Sequence, residues 1–166
     1  AVVGHSMGAA TALAIAGGVP TSLPHQREDR RAVRVDAISD PRVDAIVLLA
    51  PATPWFRLRG ALQEVRVPIL MIASYHDEAA PYFYMCQVVL DGVPDVSRVA
   101  CRYVERAHHY AFLSPWPEAM RGPQTPPSMD PPGFDRRTFL DELYPQIAAF
   151  VGRARSSPGG SSTIET

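Results

Sequence analysis

The stretch Ala1-Val2-Val3-Gly4-His5-Ser6-Met7-Gly8-Ala9-Ala10-Thr11-Ala12-Leu13-Ala14-Ile15-Ala16 decides how this chain is read. Its first three residues are apolar and mostly β-branched, as at the end of a buried strand. Its last eight are helix formers, stopped by Gly17-Gly18. Between them Gly4-His5-Ser6-Met7-Gly8 fits G-x-S-x-G, which places Ser6 on a tight strand-to-helix turn. Small residues at both glycine positions are expected to let the two backbones approach. The turn lifts the Ser6 hydroxyl above the sheet. It also sets the Met7 N–H, at a helix N-terminus, where it can stabilise an oxyanion. A phosphate-cradling loop is the competing reading, but no Lys follows the glycines. The helix itself is apolar nearly all round, which predicts burial rather than an amphipathic surface position.

Further along, residues 43–50 (VDAIVLLA) and 68–74 (PILMIAS) are unbroken apolar runs of strand length. They lack the alternation of half-exposed strands, which suits parallel strands covered on both faces. Residues 81–90 read as a helix ended at Asp91-Gly92, and 98–105 as a further strand. Asp135 is placed to cap a helix over 136–155, with Phe139, Leu140, Leu143, Ile147, Phe150 and Val151 on one side. Pro145 is expected to kink or split it. Residues 19–42 are polar and irregular. Residues 113–134 hold seven of the 17 prolines and no clear period, so they read as a surface loop. Strands alternating with helices indicate an α/β domain with a mostly parallel sheet over residues 1–155. The Ser/Gly-rich tail, 156–166, is expected to be disordered.

Composition narrows the function. The 166 residues suit one domain, and a formal charge of −1, from 16 Arg and 17 acidic residues, argues against a nucleic-acid partner. No apolar run approaches the roughly 18 residues of a membrane span. Cys86 and Cys101 have no metal-ligand spacing and read as free buried thiols, with a pairing between them as the alternative in an oxidising compartment; neither metal nor cofactor is expected. The chain opens in mid-pattern without an initiator Met, as the C-terminal portion of a larger domain would.

A serine hydroxyl needs a base, and that base needs an orienting carboxylate. On a sheet of this kind the chain order is Ser, then the acid after a later strand, then His after the last. Asp77 follows the strand ending at Ser74, and Glu78 is its rival, with a solvated first-turn role as the alternative. For the base, His108 and His109 alone have the right order. His25 lies in the irregular segment, and His5 and His76 precede the required place. Periodicity does not choose between the adjacent pair.

As a set, these motifs resemble the serine α/β-hydrolases grouped as predicted dienelactone hydrolases, near the platelet-activating-factor acetylhydrolase-like and polyester-hydrolase groups. The matching stretches are Gly4-His5-Ser6-Met7-Gly8, Asp40-Pro41-Arg42-Val43-Asp44-Ala45-Ile46-Val47 with Ala50-Pro51-Ala52, Val67-Pro68-Ile69-Leu70, the turn at Asp77, and Ala107-His108-His109-Tyr110-Ala111-Phe112-Leu113. The last is similar to the family's Ala-x-His-(aromatic)-x-Phe-Leu, which implies His109 as base and leaves His108 as a rim or packing residue. Dienelactone hydrolases proper carry Cys where Ser6 stands, and epoxide hydrolases and haloalkane dehalogenases carry Asp. The family's second oxyanion-hole donor precedes the serine turn, ahead of Ala1.

The resemblance implies hydrolysis of small-molecule carboxylic esters through Ser6, Asp77 and His109, with Met7 N–H as half of the oxyanion hole. Thioesters or amides fit the same triad, and a non-catalytic truncated remnant is the reading from another class. Only residues 51–67 separate two strands where such enzymes insert a lid, so an open site is expected. Trp55, Phe56, Tyr75, Tyr110 and Trp116 lie in loops and are candidates to line it.

Overall fold

A computed structural model describes residues 1–156. Four strands, β1 (Val2–His5), β2 (Ile46–Leu49), β3 (Ile69–Ser74) and β4 (Val99–Val104), form one sheet in the order β1-β2-β3-β4, every pair parallel. Three α-helices accompany them among the described residues: α1 (Met7–Ile15), α2 (Tyr82–Gly92) and α3 (Arg136–Ser156). The protein is therefore α/β with an all-parallel sheet, and its strands and helices fall within a few residues of the expected spans.

Both apolar runs become interior strands. Ile46, Leu48, Ile69 and Met71 face one side, where α1 and α2 cover them with Leu13, Cys86 and Val89. Val47, Leu49 and Ile72 face the other, under Phe139, Leu140 and Leu143 of α3. Two covered faces explain why neither run alternates in polarity. Each such side chain contributes roughly 1.5–3 kcal/mol on burial. The outer strands are less covered: Val3 of β1 is 52% exposed and Tyr103 of β4 44%.

Three expectations are corrected. α1 is not buried all round: Ala9, Ala12 and Leu13 face the sheet while Met7, Gly8 and Thr11 face outward. Its alanines allow close packing on one side without requiring cover on the other. Gly17, at φ 112, ends the helix in a left-handed turn, and Gly18 N–H donates to Leu13 C=O at 2.8 Å. Pro145 does not split α3, which runs from Arg136 to Ser156 as one helix. Pro145 and Asp141 are both exposed, so the carbonyl that loses its helical donor has water available. That helix also takes in Ser156, assigned to the tail from sequence; the rest of the tail lies outside the described residues. As expected, Asp135 caps α3, its Oδ1 accepting from Thr138 N–H at 2.7 Å.

Residues 19–42 and 113–134 are irregular, apart from short 3-10 turns at Pro24–Gln26, Glu118–Met120 and Pro126–Ser128. Cys86 and Cys101 are free, the first buried and the second half-buried. No helix among the described residues is long and apolar enough to cross a membrane.

Candidate active site

All four strands end on one side, and Ser6, Asp77 and His109 lie on the segments leaving β1, β3 and β4 there. This is the edge at which open parallel sheets bind ligands. Ser6 links β1 to α1 at φ 55 and ψ −120, a left-handed conformation that costs a non-glycine residue of order 1–3 kcal/mol. Its surroundings hold it there: Ser6 N–H donates to Leu49 C=O at 2.9 Å, while Ser6 C=O accepts from Ala9 N–H at 3.0 Å and Ala52 N–H at 3.1 Å. Ala50, also left-handed at φ 42, turns the chain so that Ala52 reaches this carbonyl.

The two flanking glycines differ in role. A Cβ on Gly4 would lie 2.2 Å from Gly8 O, so β1 and α1 can touch only because Gly4 has none. A Cβ on Gly8 would meet nothing within 4 Å. The sequence-based expectation that both positions need a small residue thus holds for Gly4 alone; Gly8 contributes its backbone, not its missing side chain.

His109 bridges the other two groups. Its Nε2 is 2.8 Å from Ser6 Oγ and its Nδ1 is 2.7 Å from Asp77 Oδ2. A carboxylate only accepts, so the ring proton sits on Nδ1 and Nε2 is left to accept from the Ser6 hydroxyl. The Asp77 side chain is fully buried and that of His109 is 9% exposed. Oδ1 of Asp77 is held by Ala80 N–H at 2.6 Å, which orients the carboxylate toward the ring. Glu78, the rival acid, is exposed.

Two residues outside the expected set hold the His109 segment. His5 Nε2–H donates to His109 C=O at 2.8 Å, and its ring packs on that of His109 at 4.9 Å. Burial pushes His5 below its ordinary pKa of 6.5. It therefore favours the neutral form beside the His109 ring. Ser74, fully buried at the end of β3, donates its hydroxyl to His108 C=O at 2.9 Å. Both residues sit at strand ends on the site edge, which is the sequence signal that marks them.

His108 points the other way. Its Nδ1 accepts from Tyr110 N–H at 2.9 Å, and Nε2–H donates to Met129 C=O at 2.6 Å, tying the proline-rich loop to the His109 segment. Arg136, 2% exposed, anchors the same loop: it donates to Asp130 Oδ1 at 2.7 Å and to the carbonyls of Pro127 and Met129.

No protein-family model, curated protein or solved structure matches the chain. What the site can do chemically follows from its atoms. A hydroxyl, a neutral imidazole and a buried carboxylate in series can pass a proton from oxygen to nitrogen while the carboxylate stabilises the imidazolium. Met7 N–H opens α1, where the first N–H groups of a helix have no intrahelical acceptor. Among the described residues no three His, Cys, Asp or Glu side chains gather as a metal site.

The aromatic candidates divide. Tyr110 sets its ring edge-on to His109 at 5.1 Å. Trp55 and Phe56 border an apolar groove of about 210 Å³ that Met7 also lines, Phe56 being mostly in the core. Tyr75 stacks instead on Tyr82, and Trp116 lines a separate cavity with Arg136.

Proposed function

We propose that this chain is a serine hydrolase of the α/β-hydrolase type that cleaves carboxylic esters through an acyl-enzyme intermediate. The carrying observation is the unbroken series Ser6 Oγ, His109 Nε2, His109 Nδ1, Asp77 Oδ2, with contacts of 2.8 and 2.7 Å. The strained Ser6 backbone and the all-parallel sheet that presents the three residues on one edge support the same reading.

In this mechanism Ser6 Oγ attacks the ester carbonyl while His109 Nε2 takes its proton. The negative charge on the carbonyl oxygen is met by Met7 N–H. The C–O bond to the alcohol then breaks, and Nε2 returns the proton to the departing oxygen. Water, deprotonated by the same nitrogen, then adds to the acyl carbon; the Ser6 Oγ–acyl bond breaks, Nε2 returns the proton to Oγ, and the acid leaves. Asp77 stays ionised throughout and holds the ring in the required tautomer.

The test is hydrolysis of p-nitrophenyl acetate together with covalent labelling by a fluorophosphonate. Ser6→Ala is expected to abolish labelling and reduce turnover by about 10⁴-fold or more. Turnover that survives Ser6→Ala overturns the nucleophile assignment.

A further inference from the structure

Proton delivery fixes where the leaving alcohol must lie. His109 Nε2 reaches Ser6 Oγ in the first step and the departing oxygen in the second, so the alcohol leaves across the His109 ring. A cleft of about 570 Å³ opens against that ring, bordered by His76, Glu78, His108, Tyr110, Pro126 and Pro131. Met7, the oxyanion donor, lines a different groove. The alcohol cleft carries one carboxylate and no guanidinium, although the chain has 16 Arg. Glu78 is exposed and immediately follows the buried Asp77. Tyr110, edge-on to His109, adds an aromatic ring to the same wall.

We infer that this cleft is the leaving-group subsite and that it selects esters of alcohols bearing a cationic, ammonium-type group. This rests on the hydrolase reading above. Glu78 acts on the substrate's charge, and Tyr110 lines the same cleft as an aromatic ring whose face attracts an alkyl-ammonium head. The reaction is the same as for any ester: the Ser6 Oγ–acyl bond forms, the acyl–oxygen bond to the amino-alcohol breaks, and that oxygen takes the proton from Nε2.

The experiment compares kcat/KM for acetylcholine and for 3,3-dimethylbutyl acetate, which replaces the ammonium nitrogen by carbon and keeps the shape. A carboxylate acting across a solvent-open cleft gives a preference of about fivefold for the cation. Glu78→Gln is expected to bring the ratio of the two close to one, and Glu78→Lys to invert it. Glu78 is exposed, so neither substitution disturbs the core. A wild-type ratio near one, or a preference that survives Glu78→Gln, overturns the subsite while Ser6-dependent turnover of either ester leaves the hydrolase reading standing. If neither ester is turned over above the Ser6→Ala background, p-nitrophenyl acetate decides: its Ser6-dependent turnover keeps the hydrolase reading and overturns the subsite, and its absence fails the hydrolase reading instead. Product binding then still reads the cleft: choline must shift the His109 ring signals in NMR at several-fold lower concentration than 3,3-dimethylbutan-1-ol, and equal titrations refute the charge selection.

Discussion

Replacing Gly4 by Ala would place a methyl carbon 2.2 Å from Gly8 O, 2.4 Å from Gly8 C and 2.7 Å from Ala9 N. Ordinary Cβ contacts begin near 3.4 Å. All three atoms are backbone, so no rotamer change relieves the clash, and β1 and α1 must separate by more than an ångström. Overpacking of this kind costs about 1–3 kcal/mol, or about 3–10 °C in Tm for a domain of this size. The separation also moves the first turn of α1, which carries Met7 N–H and fixes the Ser6 backbone. A displacement of about 1 Å at a reacting group costs on the order of a hundredfold in rate. Gly8→Ala supplies the matched comparison. Its new methyl meets nothing within 4 Å, and Ala is favoured over Gly in a helix by roughly 0.5–1 kcal/mol. Thermal unfolding followed by far-UV circular dichroism, with initial rates on p-nitrophenyl acetate for Gly4→Ala, reads both effects. Gly4→Ala is expected to melt lower and hydrolyse slowly, and Gly8→Ala to melt at or slightly above the parent. A Gly4→Ala protein that melts with the parent, or a Gly8→Ala protein that loses as much stability, refutes the account of the turn.

Burial lowers the His5 pKa below 6.5, so the folded state binds fewer protons there than the unfolded chain does. Its contribution to stability is complete above about pH 6.5 and is lost as pH falls from there through the lowered value. The Tm advantage of the parent over His5→Gln should therefore shrink below pH 6.5; an advantage that stays flat from pH 8 to 5 contradicts this. His5→Leu removes the donor to His109 C=O and should lower kcat about tenfold with little change in KM, while His5→Gln, which can still donate, recovers part of it. His108→Ala frees Met129 C=O, so trypsin should cut the loop at Arg121 about fivefold faster, as loss of one net hydrogen bond implies. Unchanged cleavage would show that His108 does not hold the loop. Arg136→Met leaves Asp130 and two carbonyls without their donor and is expected to cost about 3 kcal/mol in urea unfolding; a loss below about 0.5 kcal/mol would show the anchor to be dispensable.

The parts of the fold that were legible are those in which neighbours along the chain share one environment. Residues 46–49 and 69–74 are buried on both faces, so their runs are uniformly apolar and stand out without any alignment. α3 was legible for the opposite reason, because one covered face leaves a clear period. α1 was misread because Ala is tolerated on either side of a helix, and its composition does not say which side is covered. Whether Pro145 splits the helix depends on whether the stranded carbonyl is wet, which the local sequence does not contain. The site shows the same division. Ser6 announces itself through its own turn, and Asp77 through its position after a strand. The roles of the histidines are decided by what each nitrogen faces. His5 and His109 carry the same ring, yet His109 Nδ1 meets a carboxylate, which leaves Nε2 free to accept a proton, whereas His5 Nε2 meets a carbonyl and must donate. That carbonyl lies 104 residues away along the chain. Local sequence can nominate an imidazole, but only the assembled sheet, by choosing the acceptor on one nitrogen, leaves one ring able to accept a proton and makes the other a donor that holds it.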